Sequence, residues 1–347
     1  MAAFLLRRLL ATVPVMLMVA VLVFLMLRLT PGDPAAIMAG DNASSAEVEV
    51  IRAGLGLDRP LPVQFAIWFG DLLRGDLGES FFFKRPVTEL ILQRVGPTLS
   101  LATTTIVLAV LVAVPLGVLA AWRHGTILDR LVSGFAVLGF SVPVFVLGYT
   151  LIYVFAIRLN WLPVQGYKPL SAGFGPFLYQ LVLPSLTLSV VYIALIARIT
   201  RASVLDVLGE DFVRTARAKG LHESVVLRRH ALRNAAVPIV TVIGLGVALL
   251  IGGVVVTESV FNIPGLGRLT VDAVLGRDYP TIQGVILVFS LAYVLVNLAI
   301  DLAYTFLDPR IRYCARHSTS WSSPRPRTRP PPPDAPASCA KRYAIPA

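Results

Sequence analysis

Six long apolar segments limit what this chain can fold into. Their positions are 9–29, 98–121, 131–157, 178–197, 235–257 and 282–306. Each is long enough to cross about 30 Å of hydrocarbon as an α-helix. Of the 347 residues, 56% are hydrophobic and 15% are charged. Soluble domains are rarely so apolar, so the sequence predicts an all-α membrane protein with about six transmembrane helices.

The first apolar segment shares one property with signal peptides, because Arg7 and Arg8 precede it. It is longer than a usual signal core, and the sequence RLTPGDP that follows has no clear small-residue cleavage site. We therefore expect residues 1–29 to be retained as a membrane anchor.

Basic residues are distributed unevenly between the short connections. The termini and the connections after helices two and four contain Arg7, Arg8, Arg123, Arg130, Arg198, Arg201, Arg214, Arg217, Lys219, Arg228, Arg229, Arg233, Arg310 and Arg312. The short connections on the opposite side contain only Arg158, Lys168, Arg268 and Arg277. Because Lys and Arg are enriched on the cytoplasmic side, both termini are predicted to face the cytoplasm, an N-in/C-in topology.

The long connection between the first two helices, residues 30–96, is external in this topology. It contains an apolar stripe that includes Phe65, Trp68 and Leu72, which a disordered connector would lack. We expect a small ordered external subdomain here, followed by a five-helix transmembrane core at residues 97–313.

The composition changes abruptly at Cys314. Residues 314–347 are rich in Pro, Arg and Ser, cannot bury a core, and are predicted to be a disordered tail. A polyproline recognition segment is one interpretation. A dispensable tail, or one produced by a shifted reading frame, is the other.

The formal net charge of +11 raises the question of a nucleic-acid partner. The basic residues lie beside apolar segments and do not alternate with aromatic residues, so membrane topology explains them better and no nucleic acid is expected. The cysteines, Cys314 and Cys339, have no metal-ligand spacing, and no histidine belongs to an HExxH sequence. We expect neither a metal nor a cofactor.

Small residues recur every fourth position in two of the predicted helices. The two stripes are Ala109, Ala113, Gly117 and Ala121 in helix two, and Gly244, Ala248 and Gly252 in helix five. Such stripes let helices pack backbone to backbone in lipid, either within one subunit or against a second membrane subunit. Pro115 and Pro143 are expected to bend their helices, because each removes a helix hydrogen bond.

Two acidic residues lie in or beside the predicted spans. Asp301 is within the last span, where an interfacial or helix-pairing role competes with a role in transport. Glu258 lies at the outer end of helix five, just before a PGLG turn. It could belong to an external gate region or be solvated at the interface.

The connection after helix four, residues 198–234, is the most highly charged part of the chain. Within it, Leu221, Val225 and Leu232 have the spacing of one helical face, which predicts a short helix after Gly220. An apolar stripe among exposed charges could bind a groove on a partner protein. Packing on the chain's own membrane domain, or attraction to anionic membrane lipid, is the alternative.

This connection resembles the EAA loop of inner-membrane subunits of binding-protein-dependent ABC importers. RTARAKGL at 214–221, followed by HALRNAAVP at 230–238, is typical of the dipeptide and oligopeptide branch, which includes nickel and glutathione importers. Where the general pattern has Glu-Ala-Ala, this chain has Arg214, Thr215 and Ala216. The glycine of the general pattern is present in this chain as Gly220.

Further segments resemble the same branch. They are RLTPGDPA at 28–35, LGLDRPLPVQF at 55–65, GDLGES at 75–80, FNIPGLG at 261–267, RDYPTIQG at 277–284 and LDPRIR at 307–312. Together they are more specific than any one of them, and none lies beyond residue 313.

The resemblance implies a permease subunit in a bacterial inner membrane, forming the translocation path for peptides or a related solute. It implies a second homologous permease, two ATP-binding subunits and an extracytoplasmic substrate-binding protein as partners. The residues that it implies for contact with the ATPase are Arg214, Thr215, Ala216, Arg217, Gly220, Leu221 and Val225.

Two other classes of protein compete with this interpretation. A self-sufficient secondary transporter or channel would need ion-coupling acids deep in its helices, for which Asp301 is slight support. A membrane enzyme would need a nucleophile and base at membrane depth, yet every histidine lies outside the predicted spans. The chain also lacks a GxxxxGK[ST] phosphate loop, so we expect ATP hydrolysis in partner subunits and no enzymatic activity here.

Overall fold

The computed structural model describes residues 2–29, 35–36, 44–54 and 56–307. The helices are α1 (Ala2–Leu29), α2 (Ser45–Gly54), α3 (Leu61–Leu73), α4 (Val87–Trp122), α5 (Ile127–Ser141), α6 (Val144–Arg158), α7 (Phe174–Leu208), α8 (Asp211–Ala218), α9 (Glu223–Val260), α10 (Leu266–Leu275) and α11 (Tyr279–Leu307). The described residues form no β-strand beyond an isolated bridge between Glu79 and Pro86.

Four of these helices are long and apolar enough to cross a membrane, namely α4, α7, α9 and α11. α5 and α6 together would give a fifth span. The first predicted span lies in α1, where the apolar stretch Leu10–Met26 is shorter. The all-α membrane fold is therefore confirmed, while the number of six spans stays a prediction.

The span predicted at 131–157 contains the predicted bend at Pro143, and the structure divides it there into α5 and α6. α5 and α6 meet at an angle of 103°. Val142 is extended, and Pro143 immediately precedes α6. The residue before a proline is disfavoured in the α-conformation, so the chain turns where the sequence predicts a bend. Pro115, in contrast, lies within the continuous helix α4.

The centre of the molecule is the contact between α4 and α7, and it depends on the small residues of α4. Ala109 and Ala113 are fully buried, and a Cβ atom on Gly117 would lie only 2.7 Å from the carbonyl oxygen of Ala197. Ala121 is buried with Val204 of α7. Close approach of two backbones is thus possible only because these side chains are small.

The predicted stripe of α9 is divided in the structure. Gly244 packs against Ile300 of α11, but Gly252 faces open space and Ala248 is only half-buried. The glycines that approach α7 are Gly246, beside Tyr192, and Gly253, beside Leu188. Gly244 thus packs within this subunit, and packing of Gly252 against a second membrane subunit stays a prediction.

The 30–96 connection, in the part that is described, packs on transmembrane helices. Phe65 and Trp68 of α3 lie 5.2 and 5.6 Å from the ring of Phe24 in α1. Leu287 of α11 belongs to the same apolar cluster. α4 begins at Val87, so its first residues lie within the predicted 30–96 connection. The predicted tail, residues 314–347, lies outside the described residues.

Candidate functional site

The basic loop, which we define as residues 209–231, contains the short helix α8. Asp211 lies in its first turn and Arg217 in its last, an order that favours the helix dipole. Gly220 follows with φ of +74°, a left-handed conformation that suits glycine at a helix end. A helix follows Gly220, as predicted, and begins at Glu223, but it continues as the long helix α9; the separate short helix of the loop, α8, precedes Gly220.

Three apolar residues fix α8 to its neighbours. Val213 and Ala216 of α8 are buried with Val226 of α9, and Val207 and Leu208 at the end of α7 pack against them. The loop therefore has a small core of its own. Ala216, one of the predicted contact residues, lies in this core.

The remaining predicted contact residues face outward. Arg214, Thr215, Arg217 and Gly220 are exposed. Leu221 and Val225 are 40% and 39% exposed. Nε of Arg217 donates to Oε1 of Glu223 at 2.8 Å, an ion pair that links α8 to the start of α9 across the Gly220 turn.

Phe212 is an exposed apolar residue of the loop that the sequence analysis missed. Its side chain is 43% exposed beside the buried Val213. The adjacent pair Phe212–Val213 contains two large apolar residues on different faces of a helix of only eight residues. Val213 fills the core of the loop. The second apolar residue, Phe212, could therefore have indicated an apolar surface that faces outward.

A buried ion pair lies on the same end of α7 as the basic loop. Asp129, in the first turn of α5, is buried and pairs with Nε and Nη2 of Arg201 in α7, the latter at 2.9 Å from Oδ2. The backbone N–H of Gly125 donates to the same oxygen at 3.0 Å. Nδ1 of His124 also lies 3.0 Å from it.

At the opposite end of α9, Glu258 joins α4 to the turn before α10. Its side chain is fully buried, so the alternative of interfacial solvation is wrong. The hydroxyl of Thr98 donates to Oε1 at 2.6 Å, and the N–H of Arg268 donates to Oε2 at 3.1 Å. The turn at Gly265 passes so close to this carboxyl group that a Cβ atom there would collide with it.

A second buried carboxyl group, Asp278, joins the GDLGES and RDYPTIQG segments. Ser80 donates to its Oδ2 at 2.5 Å and Thr281 at 2.7 Å, while the N–H of Phe81 donates to Oδ1 at 3.0 Å. Sequence reasoning did not single out Asp278. The two segments are nearly 200 residues apart, and no local pattern reveals that they meet.

Asp301 pairs α11 with α1. Its Oδ2 lies 3.0 Å from Nη1 of Arg8. Of the competing interpretations of Asp301, the helix-pairing one agrees with this contact. Within the described part of the chain, no group of three His, Cys, Asp or Glu side chains has the arrangement of a metal site.

Comparisons with known proteins agree over most of the chain. Residues 113–313 match the family described as binding-protein-dependent transport system inner membrane component, and residues 1–102 match its N-terminal membrane component. The probable peptide ABC transporter permease protein y4tP of Sinorhizobium fredii is 56% identical over 313 residues, covering 90% of this chain and all of that protein. The glutathione transport system permease protein GsiC of Pectobacterium atrosepticum is 47% identical over 314 residues, with the same coverage of both chains.

A solved structure has the same fold. An inward-facing structure of the MetNI methionine ABC transporter superposes with a TM-score of 0.53 at 20% identity, covering 63% of this chain and 96% of the other. Both family models together extend from residue 1 to residue 313, apart from ten residues between them. The chain belongs to the inner membrane components of binding-protein-dependent transport systems, and it is a permease subunit of an ABC importer.

Proposed function

We propose that this permease imports short peptides, including glutathione-like peptides, and that the basic loop is its contact with the ATPase. The observation that carries the proposal is the construction of the loop: α8 is held by a buried core on the end of α7, while Phe212, Leu221 and Val225 remain exposed. The peptide cargo rests on the named functions of the relatives described above.

Force applied to α8 would be transmitted into the membrane domain. Val213 and Ala216 pack on Val207 and Leu208, and these two residues end a helix of 35 residues. The loop therefore cannot move far without moving α7 or α9. In the proposed cycle, closure of the ATPase dimer displaces α8, and the displaced helices expose the translocation path to the other side of the membrane.

The proposed assembly contains this permease, a second homologous permease, two ATP-binding subunits and an external substrate-binding protein. Both termini and the basic loop face the cytoplasm in this arrangement, following the distribution of basic residues. ATP hydrolysis takes place in the partner subunits.

The described residues give less support to the alternative interpretation, a secondary transporter. Asp301 pairs with Arg8, and the buried carboxyl groups of Glu258 and Asp278 each accept hydrogen bonds from several groups. These contacts join helices and loops within the subunit, a role that needs no cycle of ion binding.

A substitution of Gly220 tests the proposed contact. No atom lies within 4 Å of a Cβ atom at Gly220, so a Trp there projects away from the chain's own core into the space assigned to the ATPase. We expect Gly220→Trp to abolish ATP-driven uptake while the protein reaches the membrane in normal amount.

Gly75 provides the matched control. It also has a left-handed conformation, with φ of +83°, and also has open space around its Cβ position. Gly75→Trp therefore reproduces the backbone strain outside the basic loop, and uptake by this variant should persist. Normal uptake by Gly220→Trp at normal abundance would remove the proposed contact.

A further inference from the structure

The ion pair between Asp129 and Arg201 is largely shielded from solvent. The side chain of Asp129 is only 6% exposed and that of Arg201 is 24% exposed. Two nitrogen atoms of the guanidinium bind the two carboxyl oxygens, which gives the pair a fixed orientation. His124 lies beside both partners, with Nδ1 3.0 Å from Asp129 and 3.2 Å from Arg201.

Arg201 lies close to the basic loop along α7. Leu208, which packs against the core of the basic loop, lies seven positions further along the helix. Seven residues of α-helix extend about 10 Å and form a stiff connection. A displacement of α8 thus reaches Arg201 through a single short piece of helix.

A series of helix contacts connects Asp129 with the opposite end of the molecule. Asp129 lies in the first turn of α5, and α5 remains in contact with α7 at Gly139, where a Cβ atom would lie 2.8 Å from Ala194. After the bend, α6 packs at Gly148 against Val260 at the end of α9, where the Cβ distance would be 3.3 Å. Val260 is two residues from the buried Glu258.

We propose that Asp129 and Arg201 are positioning residues that make the bent pair α5–α6 move together with the basic loop. This inference rests on the proposed function of that loop. Through the ion pair, displacement of α8 by the ATPase moves α5, and α6 conveys the movement to the end of α9. Without the ion pair, α7 could move without α5. ATP would then be hydrolysed with little transport.

The test compares transport with ATP hydrolysis in the complete importer complex. The purified complex, with its binding protein, is reconstituted in liposomes and supplied with a radiolabelled alanine dipeptide or radiolabelled glutathione. For Asp129→Asn and Arg201→Gln, we expect the number of molecules imported per ATP hydrolysed to fall about tenfold, while stimulated ATP hydrolysis stays near that of the wild type. A residue with a purely structural role would lower both activities together.

Two further variants exclude a simple folding defect. The reciprocal exchange Asp129→Arg with Arg201→Asp restores opposite charges and should recover part of the lost coupling ratio. Arg130→Gln is the control, because Arg130 is an exposed neighbour of Asp129 on the same turn of α5, and its coupling ratio should be unchanged.

The outcomes separate the inference from the proposed function. If the wild-type complex shows no ATP-driven uptake of either compound, the proposed function fails. If the wild type transports and the Asp129 and Arg201 variants keep its coupling ratio, the inference alone is overturned. Failure of all charge variants to assemble would also overturn it, since the pair would then serve stability.

Discussion

The hydroxyl of Thr98 in α4 lies 2.6 Å from Oε1 of Glu258 in α9, although the two residues are 160 positions apart in the sequence. The same hydroxyl oxygen accepts the N–H of Leu266 at 2.8 Å, in the first turn of α10. One small side chain thus connects three helices. The FNIPGLG segment owes its shape to this arrangement, because its turn closes over the carboxyl group of Glu258.

Removing this hydroxyl should destabilise the protein. Thr98→Val keeps the size of the side chain but leaves the N–H of Leu266 and one oxygen of Glu258 without their partner, at a cost of about 1–3 kcal/mol for each buried group. Thermal unfolding in mild detergent should therefore occur at a clearly lower temperature. Thr98→Ser retains the hydroxyl and should unfold close to the wild type; equal unfolding temperatures for all three proteins would contradict the role of the bond.

Two glycines with the same predicted role should respond differently to alanine. Gly117→Ala forces a methyl group to within 2.7 Å of the backbone of α7, and such overpacking costs about 1–3 kcal/mol. Gly252→Ala meets no atom within 4 Å and should leave the stability of the isolated chain unchanged. Thermal unfolding of the two variants in the same detergent measures the difference. Equal effects would show that the contact between α4 and α7 is looser than described.

Phe212 should contribute to binding of the ATPase. Truncation of an exposed aromatic residue at the centre of an interface typically costs about 2 kcal/mol or more. We expect Phe212→Ala to reduce co-purification of the ATPase with the membrane subunits, without loss of membrane abundance. Leu275→Ala, which removes an exposed apolar side chain at the end of α10, is the control. Undiminished ATPase binding by Phe212→Ala would exclude Phe212 from the contact.

The segment beyond residue 313 should be dispensable. The family match ends at residue 313, and the remaining composition cannot bury a core. A chain that stops after Tyr313 should reach the membrane and support uptake as the full chain does. Loss of uptake on truncation, with normal abundance, would instead favour the recognition segment.

Much of the fold could be predicted from the sequence because membrane spans leave a strong local signal. The apolar segments now found in α4, α7, α9 and α11 stand out by length and hydropathy. The sequence also predicted the bend at Pro143. The size of this bend, which is 103° and divides a span, depends on the packing around it. The face that α9 presents to α7 was harder to predict, since glycines occur on both sides of that helix.

The sequence indicates the basic loop as a whole better than the placement of its side chains. Ala216 lies in the small core of the loop while Phe212, which the sequence analysis missed, is exposed, because a helix as short as α8 must use part of its apolar surface to hold itself in place. The buried pairs, such as Asp129 with Arg201 or Asp278 with Ser80, join residues far apart in the chain. Only tertiary structure brings such partners together.

The most direct test of the account is the source of energy for uptake. The permease is co-purified with the ATPase and the second permease of the proposed assembly and reconstituted in liposomes with the binding protein outside. Uptake of a radiolabelled dipeptide or glutathione is then measured with ATP inside, and separately with a proton or sodium gradient and no ATP. We predict uptake only with ATP and the binding protein present. Uptake by this chain alone, driven by an ion gradient without ATP, would contradict the account.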